Sequence, residues 1–401
     1  MALVVAGLAA AVGGNTAAGA ADGNTTASAA KKKAKKKTGL KVMSRNVYLG
    51  ADLGPGLSAT TQAGFVDAAG EIVNQVDRTN FPLRSQALAQ EILSHNPDLV
   101  GLQEVAWWRT GPVRFDVNPP KATQTEYDFL QLLLDQLNKN GQRYKPVVVK
   151  EEFDFESPVN DQGPPGGAAD RNARLTMRDV ILARVNKKKG KEKRPVRVSK
   201  LRSGTFDTLL KVTPAGQNIN VTRGWTALDA KVGSSTKFRF INTHFEAFDS
   251  SGTNQTNKGT PLGKGEIRQA QAKSLFAPGG PGDTKLPVVL VGDLNSDDDT
   301  VQPNGDHLAY TSLLNLGLME RSTNVPLGCC LSDPNLMAGS LADFDHQVDH
   351  VMTDSKAIKF TGGDVTGRAP VGGLWPSDHN GLFSNLLINR AKQKHHKKKK
   401  K

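Results

Sequence analysis

Short apolar runs that end in polar residues recur along this chain and predict a sheet-rich fold. The run at 286–291 is rich in Val and Leu and leads into Gly-Asp-Leu-Asn at 292–295, a pattern typical of a buried strand bounded by turn residues. Positions i and i+2 of an extended chain point to the same side. We therefore expect Asp293 and Asn295 to share one face at the strand end, although an Asx turn is also an ordinary interpretation.

Similar patterns assign most of the remaining chain to alternating strands and helices. Apolar or alternating runs predict strands at 40–44, 98–105, 179–185, 224–231, 237–243, 344–352 and 374–387, with 224–231 and 237–243 forming a hairpin. Helical spacing predicts helices at 81–94, 127–138, 265–276 and 306–316. The polar stretch 153–174 predicts a long loop. With no internal repeat and no regular βαβ period, we expect one large α/β domain at 39–389.

Polar side chains are expected to end six of these strands. They are Asn46, Gln103-Glu104, Asn242-Thr243-His244, Asp293 with Asn295, Asp349-His350 and Ser377-Asp378-His379. Packed sheets bring strand ends to a common edge, where loops build sites. Asn46, Glu104 and Asp378 offer the oxygen ligands that Mg²⁺ prefers.

The remaining members of this set suit acid–base and electrostatic chemistry on phosphate. Asp293 is a candidate to deprotonate water, held by Asn295, and His244 and His379 are candidates to donate to phosphate oxygens. Asp349 is placed to orient His379, as carboxylates orient imidazoles in hydrolases. Each residue alone also has a structural explanation as a cap, a hydrogen-bonded core histidine or an ion-pair partner.

Taken in order, the set resembles the endonuclease/exonuclease/phosphatase superfamily, which includes deoxyribonucleases, abasic-site endonucleases, inositol polyphosphate 5-phosphatases and bacterial sphingomyelinases. The resemblance runs from Asn46 to His379 through the motifs LQEV, THFE, GDLN, VDHV and SDH. It implies an α/β four-layer sandwich of two packed, mainly antiparallel β-sheets flanked by helices. It also implies phosphoester hydrolysis by in-line attack of water with Mg²⁺ or Mn²⁺.

The resemblance also implies a role for each matching residue. Asn46 and Glu104 would bind the metal with Asp378 close to it. Asp293 and Asn295 would activate water, His244 would contact the scissile phosphate, and Asp349 would support His379. Two departures, the loop VYLGADL after Asn46 and the insertion at 153–174, leave the substrate open. Arg178, beside that insertion, is a candidate substrate contact, with a salt bridge as the alternative.

The distribution of charge and the composition of the N-terminal leader give expectations about binding partners and cellular location. The 401-residue chain carries 52 Lys plus Arg against 39 Asp plus Glu, a net charge of +13. Lysines at 31–33, 35–37, 392, 394 and 397–401 account for this excess, so the chain between the tails is nearly neutral. We expect disordered basic segments at 1–38 and 390–401, with solvated tails as the first interpretation and contact with nucleic acid or an anionic membrane surface as the alternative. The apolar start and Ala27-Ser28-Ala29 resemble a secretion signal, although a basic n-region is missing.

The substrate and the state of the two cysteines remain open at this stage. Nucleic acid is favoured by the basic connector 187–197 and the tails, and a phospholipid headgroup by the leader and by Trp107-Trp108. We expect this pair to be exposed, with partial burial beside the site as the alternative. An inactive family member that binds nucleic acid or a membrane surface is the alternative to an enzyme. Cys329-Cys330 is either a vicinal disulfide or two packed thiols. We expect a monomer without a transmembrane segment.

Overall fold

The computed structural model describes residues 37–185, 196–248, 265–298 and 307–389. The signal-like leader, the C-terminal lysine tail and nearly all of the basic connector lie outside the described residues, so secretion and tail binding stay predictions. No helix in the described ranges is long and apolar enough to cross a membrane.

Strands predominate in the described chain. In chain order, β1 to β16 are Lys37–Asn46, Leu99–Gln103, Trp107–Gly111, Gln124–Asp128, Tyr144–Val159, Arg171–Arg184, Val196–Thr205, Leu210–Val212, Ile219–Val221, Gly224–Val232, Phe238–His244, Val288–Asp293, Met319–Glu320, Asp349–Thr353, Ile358–Thr366 and Gly381–Asn389. Helices α1 to α6 are Gly54–Leu57, Gln62–Arg78, Phe81–His95, Phe129–Asn138, Glu266–Phe276 and Leu308–Asn315.

Two mixed, mainly antiparallel sheets form the body of the fold. One sheet has the order β15-β16-β1-β2-β6-β3-β4, with β5 also paired to β6, and the other has the order β13-β14-β12-β11-β10-β7. The pairs β1–β2 and β11–β12 are parallel, whereas β16 and β14 run antiparallel to β1 and β12. The ends of the four parallel strands and the starts of β14 and β16 therefore lie at corresponding edges of the two sheets.

Apolar side chains point alternately to the two sides along the central strands, so both faces of each sheet are buried. On β1, Val42 packs between the sheets while Met43 packs against the helices α2, α3 and α4. On β12, Val291 faces the inter-sheet core while Leu290 packs with α5 and α6. Since successive strand residues face opposite sides, this pattern gives four layers: helices, sheet, sheet and helices. The α/β sandwich expected from the sequence is confirmed.

Most predicted elements are present, but the long loop predicted at 153–174 is shorter than expected and covers only 160–170. Residues 153–159 belong to β5 and 171–174 belong to β6, which pair over their whole length. Asp154 bonds Arg174 Nη2 at 2.6 Å and Arg109 Nη2 at 3.1 Å. The polar side chains at the two ends of the stretch thus pair across neighbouring strands, whereas Pro164-Pro165-Gly166-Gly167 lies in the remaining loop.

The two sheets approach closely at Gly101 of β2. The Asn242 side chain of β11 donates to the Leu102 carbonyl at 3.1 Å and accepts from Gln103 Nε2 at 2.5 Å. A Cβ on Gly101 would clash with Asn242 Oδ1 and lie 2.5 Å from Val291 Cγ2. A glycine is required here because the neighbouring sheet occupies the space of a side chain.

Buried arginines fix the loops that leave this edge. Arg84 of α3 donates to main-chain carbonyls of Thr79, Val47, Tyr48 and Pro376 at 2.7–3.1 Å. Arg45 bonds the Glu91 carboxylate and the His379 carbonyl. Helix α3 is thereby tied to the loop after β1 and to the loop before β16.

We expect Gly101→Ala to lower the free energy of unfolding by about 1–3 kcal/mol, because overpacking in a close-packed core forces the sheets apart. Thermal and denaturant melts measure the loss. Gly328→Ala is the matched control, because its added Cβ would meet only ordinary contacts, with Asn380 Cβ 3.6 Å away. Equal stability of the two variants would contradict the close approach of the sheets.

Candidate active site

Three of the proposed catalytic residues form one row across the six-stranded sheet. His244 ends β11, Asp293 ends β12, and Asp349 begins β14; in register, His244 is opposite Asp293 and Asp293 is opposite Asp349. The expectation that Asp349 ends its strand is wrong. Because β14 runs antiparallel to β12, its first residue, rather than its last, reaches the row.

The other sheet supplies Asn46 and Glu104. Asn46 is the last residue of β1, and Glu104 directly follows β2. Asn46 Nδ2 donates to Asp293 Oδ2 at 3.0 Å, which joins the two sheets at the site. Glu104 Oε2 accepts from the Leu49 N–H at 2.8 Å. The loop after Asn46, singled out as a departure from the family pattern, therefore holds Glu104 in place.

Asp349 and His379 form the pair expected from the sequence. Asp349 Oδ2 lies 2.7 Å from His379 Nδ1, and His379 Nε2 lies 3.7 Å from Asp293 Oδ2. Burial alone would lower the pKa of His379, but Asp378, Asp349 and Asp293 raise it well above its ordinary value. A protonated ring donates from Nδ1 to Asp349 and presents Nε2–H on its other side.

His244 is held as a neutral donor by a residue that sequence analysis missed. Arg223 Nη1 lies 3.1 Å from His244 Nδ1, and because a guanidinium only donates, Nδ1 must accept and Nε2 must carry the hydrogen. Burial, followed by the charge of Arg223, lowers the pKa of His244 to about 3. His244 Nε2 has no hydrogen-bond partner among the described residues and lies 3.5 Å from Asp293 Oδ2.

Arg223 could have been found from the predicted hairpin. It directly precedes Gly224, and the register of β10 with β11 places Gly224 opposite His244. Burial would lower the pKa of Arg223, but the carboxylates of Glu246 and Glu152 raise it. The guanidinium therefore remains charged while it holds the imidazole.

Asn295, like Arg178, makes contacts that differ from those anticipated. Asn295 adopts a left-handed conformation, and its main-chain N–H donates to Asp293 Oδ1 at 3.0 Å. Its side-chain amide instead donates to the Phe245 carbonyl at 3.1 Å. Asn295 therefore orients Asp293 through the backbone, in the Asx turn considered above.

Arg178 is engaged in structural contacts. Its guanidinium donates to the carbonyls of Val105 and Ala106 and pairs with Asp128 at 2.6 Å. We therefore assign it to support of the chain rather than to the substrate. The exposure expected for the tryptophan pair is also wrong for Trp108, which is 5% exposed and donates to the Leu49 carbonyl.

The family model of the Endonuclease/Exonuclease/phosphatase family matches residues 46–379, which include every residue of this site. The chain belongs to this family. Members of the endonuclease/exonuclease/phosphatase family are phosphoester hydrolases and typically use divalent metals. No curated protein matches the chain.

Solved structures similar to this chain share little sequence with it. The mannosyl-6-phosphatase Bt3783 of Bacteroides thetaiotaomicron has 18% identity and a TM-score of 0.46, over 87% of this chain and 100% of that chain. A family protein from Bacteroides vulgatus has 18% identity and a TM-score of 0.47, over 88% and 100%. D. rerio TDP2 in complex with a single-strand DNA product has 14% identity and a TM-score of 0.43, over 87% and 99%.

The donor set fits the divalent metal that this family uses. Asn46, Glu104 and Asp378 offer hard oxygen atoms, the ligands of Mg²⁺. Burial and, after it, the charge of the neighbouring Asp378 raise the pKa of Glu104 to about 7. Burial also raises the pKa of Asp378. Two half-buried carboxylates that disfavour each other's charge would be stabilised by a bound cation.

We expect Arg223→Lys to lower kcat/KM by about 10- to 100-fold, because a hydrogen bond to a charged group contributes about 1.5–3 kcal/mol and a lysine does not reproduce the guanidinium geometry. In the His244→Ala background, Arg223→Lys should then cost little more, since the arginine acts through the histidine. Hydrolysis of a small phosphodiester is the measurement.

Arg239→Lys is the matched control for this prediction. Arg239 is equally buried and bonds Asp229 at 2.8 Å, but it lies near the opposite end of β11 from His244. Its replacement should affect the melting temperature and leave kcat/KM unchanged. Wild-type turnover by a folded Arg223→Lys protein would contradict the positioning role.

Proposed function

We propose that this protein is a Mg²⁺-dependent phosphodiesterase that cleaves its substrate by in-line attack of water. The observation that carries the proposal is the convergence of three donors on one oxygen, Asp293 Oδ2. Asn46 Nδ2 lies 3.0 Å away, His244 Nε2 3.5 Å and His379 Nε2 3.7 Å. One carboxylate is thus surrounded by three groups that stabilise negative charge.

The proposed chemistry divides the work among the protein residues. Asp293, fixed by Asn46 and by the Asn295 N–H, accepts the proton of the attacking water. His244 and His379 donate to the phosphate oxygens as negative charge builds in the transition state. Asn46, Glu104 and Asp378 hold a divalent cation, which supplies further charge neutralisation when bound.

The cleft at this site favours a substrate with an apolar substituent. A cleft lined by Tyr48, Glu104 and Asp378 adjoins a second cavity. Both are lined by Leu53, Met177, Arg223 and Phe248. The cavity is otherwise almost entirely apolar, with aromatic walls from Phe65, Trp108, Phe153, Phe155 and Phe248.

This cavity bears on the choice between nucleic acid and a lipid-like phosphoester. A nucleic-acid strand is bound largely through Lys and Arg contacts to successive phosphates. Among the described residues lining the cleft, Arg223 is the one basic side chain, and it is already engaged with His244. We therefore favour a phosphodiester that carries an alkyl, acyl or aryl group, which the apolar cavity would accept.

The function is tested with bis(p-nitrophenyl) phosphate as a small phosphodiester. We expect turnover with Mg²⁺, complete loss in excess EDTA and recovery when Mg²⁺ is restored. Glu104→Gln should raise the Mg²⁺ concentration needed for half-maximal turnover, because a carboxylate ligand is lost. Asp52→Asn, at a carboxylate that also lines the cleft, should leave the Mg²⁺ requirement unchanged. Full activity in EDTA would refute the metal-dependent mechanism.

The substrate preference is tested with a series of alkyl p-nitrophenyl phosphates and a DNA oligonucleotide. We expect kcat/KM to rise with alkyl length by up to about fourfold per methylene until the cavity is filled, following about 0.8 kcal/mol per buried CH₂. Ala69→Leu, which fills the cavity, should remove this dependence without affecting the methyl ester. The control is Ala68→Leu on the same helix, outside the cavity lining. A flat series together with efficient DNA cleavage would reverse the preference.

A further inference from the structure

The two adjacent cysteines lie directly against the catalytic histidine. Cys329 and Cys330 form a disulfide, and their Sγ atoms lie 3.7 and 3.8 Å from His379 Nε2. Cys329 is 2% exposed and Cys330 is half-buried. The next residue, Leu331, donates its N–H to the Asp378 carbonyl at 3.0 Å. The sulfur pair is therefore held in place by the same loop that carries His379.

The donor atoms of this cluster differ in kind from those of the hard-oxygen site. Each of Cys329, Cys330 and His379 offers one ligand atom, and these atoms lie within 4.8 Å of one another. Sulfur and imidazole nitrogen select thiophilic cations, whereas carboxylate and amide oxygens suit Mg²⁺. The disulfide sulfurs are weak ligands, and the thiolates formed after reduction are strong ones.

The observed distances match a tetrahedral zinc site. Zinc–sulfur bonds of about 2.3 Å and zinc–nitrogen bonds of about 2.0–2.1 Å place sulfur and nitrogen about 3.6 Å apart in a tetrahedron. Both sulfurs are already within about 0.2 Å of that separation from His379 Nε2. Once the S–S bond is broken, the sulfurs need only move apart to about 3.8 Å, the sulfur–sulfur separation of the same geometry.

We propose that reduction of the Cys329–Cys330 disulfide creates a site for a thiophilic divalent cation such as Zn²⁺, formed by the two thiolates and His379 Nε2, and that its occupation blocks hydrolysis. The blocking step rests on the proposed function, because it removes the nitrogen that would donate to phosphate. A thiol or phosphine reductant supplies two electrons, the S–S bond breaks, and each sulfur takes one proton. Binding of the cation then releases both thiol protons and the Nε2 proton of His379 to solvent.

The full chain is tested in three forms: oxidised, reduced with a water-soluble phosphine and then desalted, and the reduced Cys329→Ser/Cys330→Ser variant. Zn²⁺ is titrated against a chromophoric chelator in millimolar Mg²⁺. We expect the reduced chain to bind one Zn²⁺ more than either other form, with an affinity at least about 100-fold higher. Co²⁺ in place of Zn²⁺ should give a thiolate-to-metal charge-transfer absorption in the reduced chain alone.

Hydrolysis of bis(p-nitrophenyl) phosphate is followed in the same titration. One equivalent of Zn²⁺ should abolish turnover of the reduced protein, and removal of the Zn²⁺ by a chelator, followed by fresh Mg²⁺, should restore it. Equal zinc binding by the reduced chain and the serine variant would overturn the site, as would a cobalt spectrum without thiolate absorption. Continued turnover with the zinc site fully occupied would contradict the proposed inhibition. If the oxidised enzyme has no turnover with Mg²⁺, the proposed function fails, and the metal titration still decides the site.

Discussion

The hydrogen bond from Asn46 to Asp293 is the contact on which the site depends. It joins the last residues of two strands that belong to different sheets, so it can form only when the sandwich is closed. Just below it, the Asn242 amide bridges to β2, and Gly101 leaves the space that the bridge requires. The contacts that pack the two sheets together therefore also align the catalytic groups.

Strand direction explains why residues far apart in sequence meet here. Two parallel pairs deliver their C-terminal residues to this edge, and two antiparallel neighbours deliver their N-terminal residues to the same place. The edge consequently gathers groups from the whole length of the domain. Strand pairing also positions the residue that supports His244, since the register of the β10–β11 hairpin places Arg223 beside it.

The sequence was most informative where a periodic pattern coincided with burial. Strand β12 and helix α3 were predictable because their apolar residues are continuous or regularly spaced. The helix at Gln62–Arg78 was not anticipated, since Gly70 interrupts its apolar face; Gly70 is needed because the backbone of Asn160 packs against it. The pairing of Asp349 with His379 followed from motif order, but the direction of β14 depends on tertiary pairing that local sequence does not encode.

The buried guanidinium of Arg84 has a consequence for how this scaffold diverges. All four of its hydrogen bonds end on main-chain carbonyls, and three of these carbonyls lie in the two loops that border the catalytic edge. These hydrogen bonds do not depend on side-chain identity, because every residue type carries the same main-chain carbonyl. Loop residues can therefore be substituted while the backbone keeps its position. Natural variation can in this way change the rim of the cleft without displacing the catalytic residues.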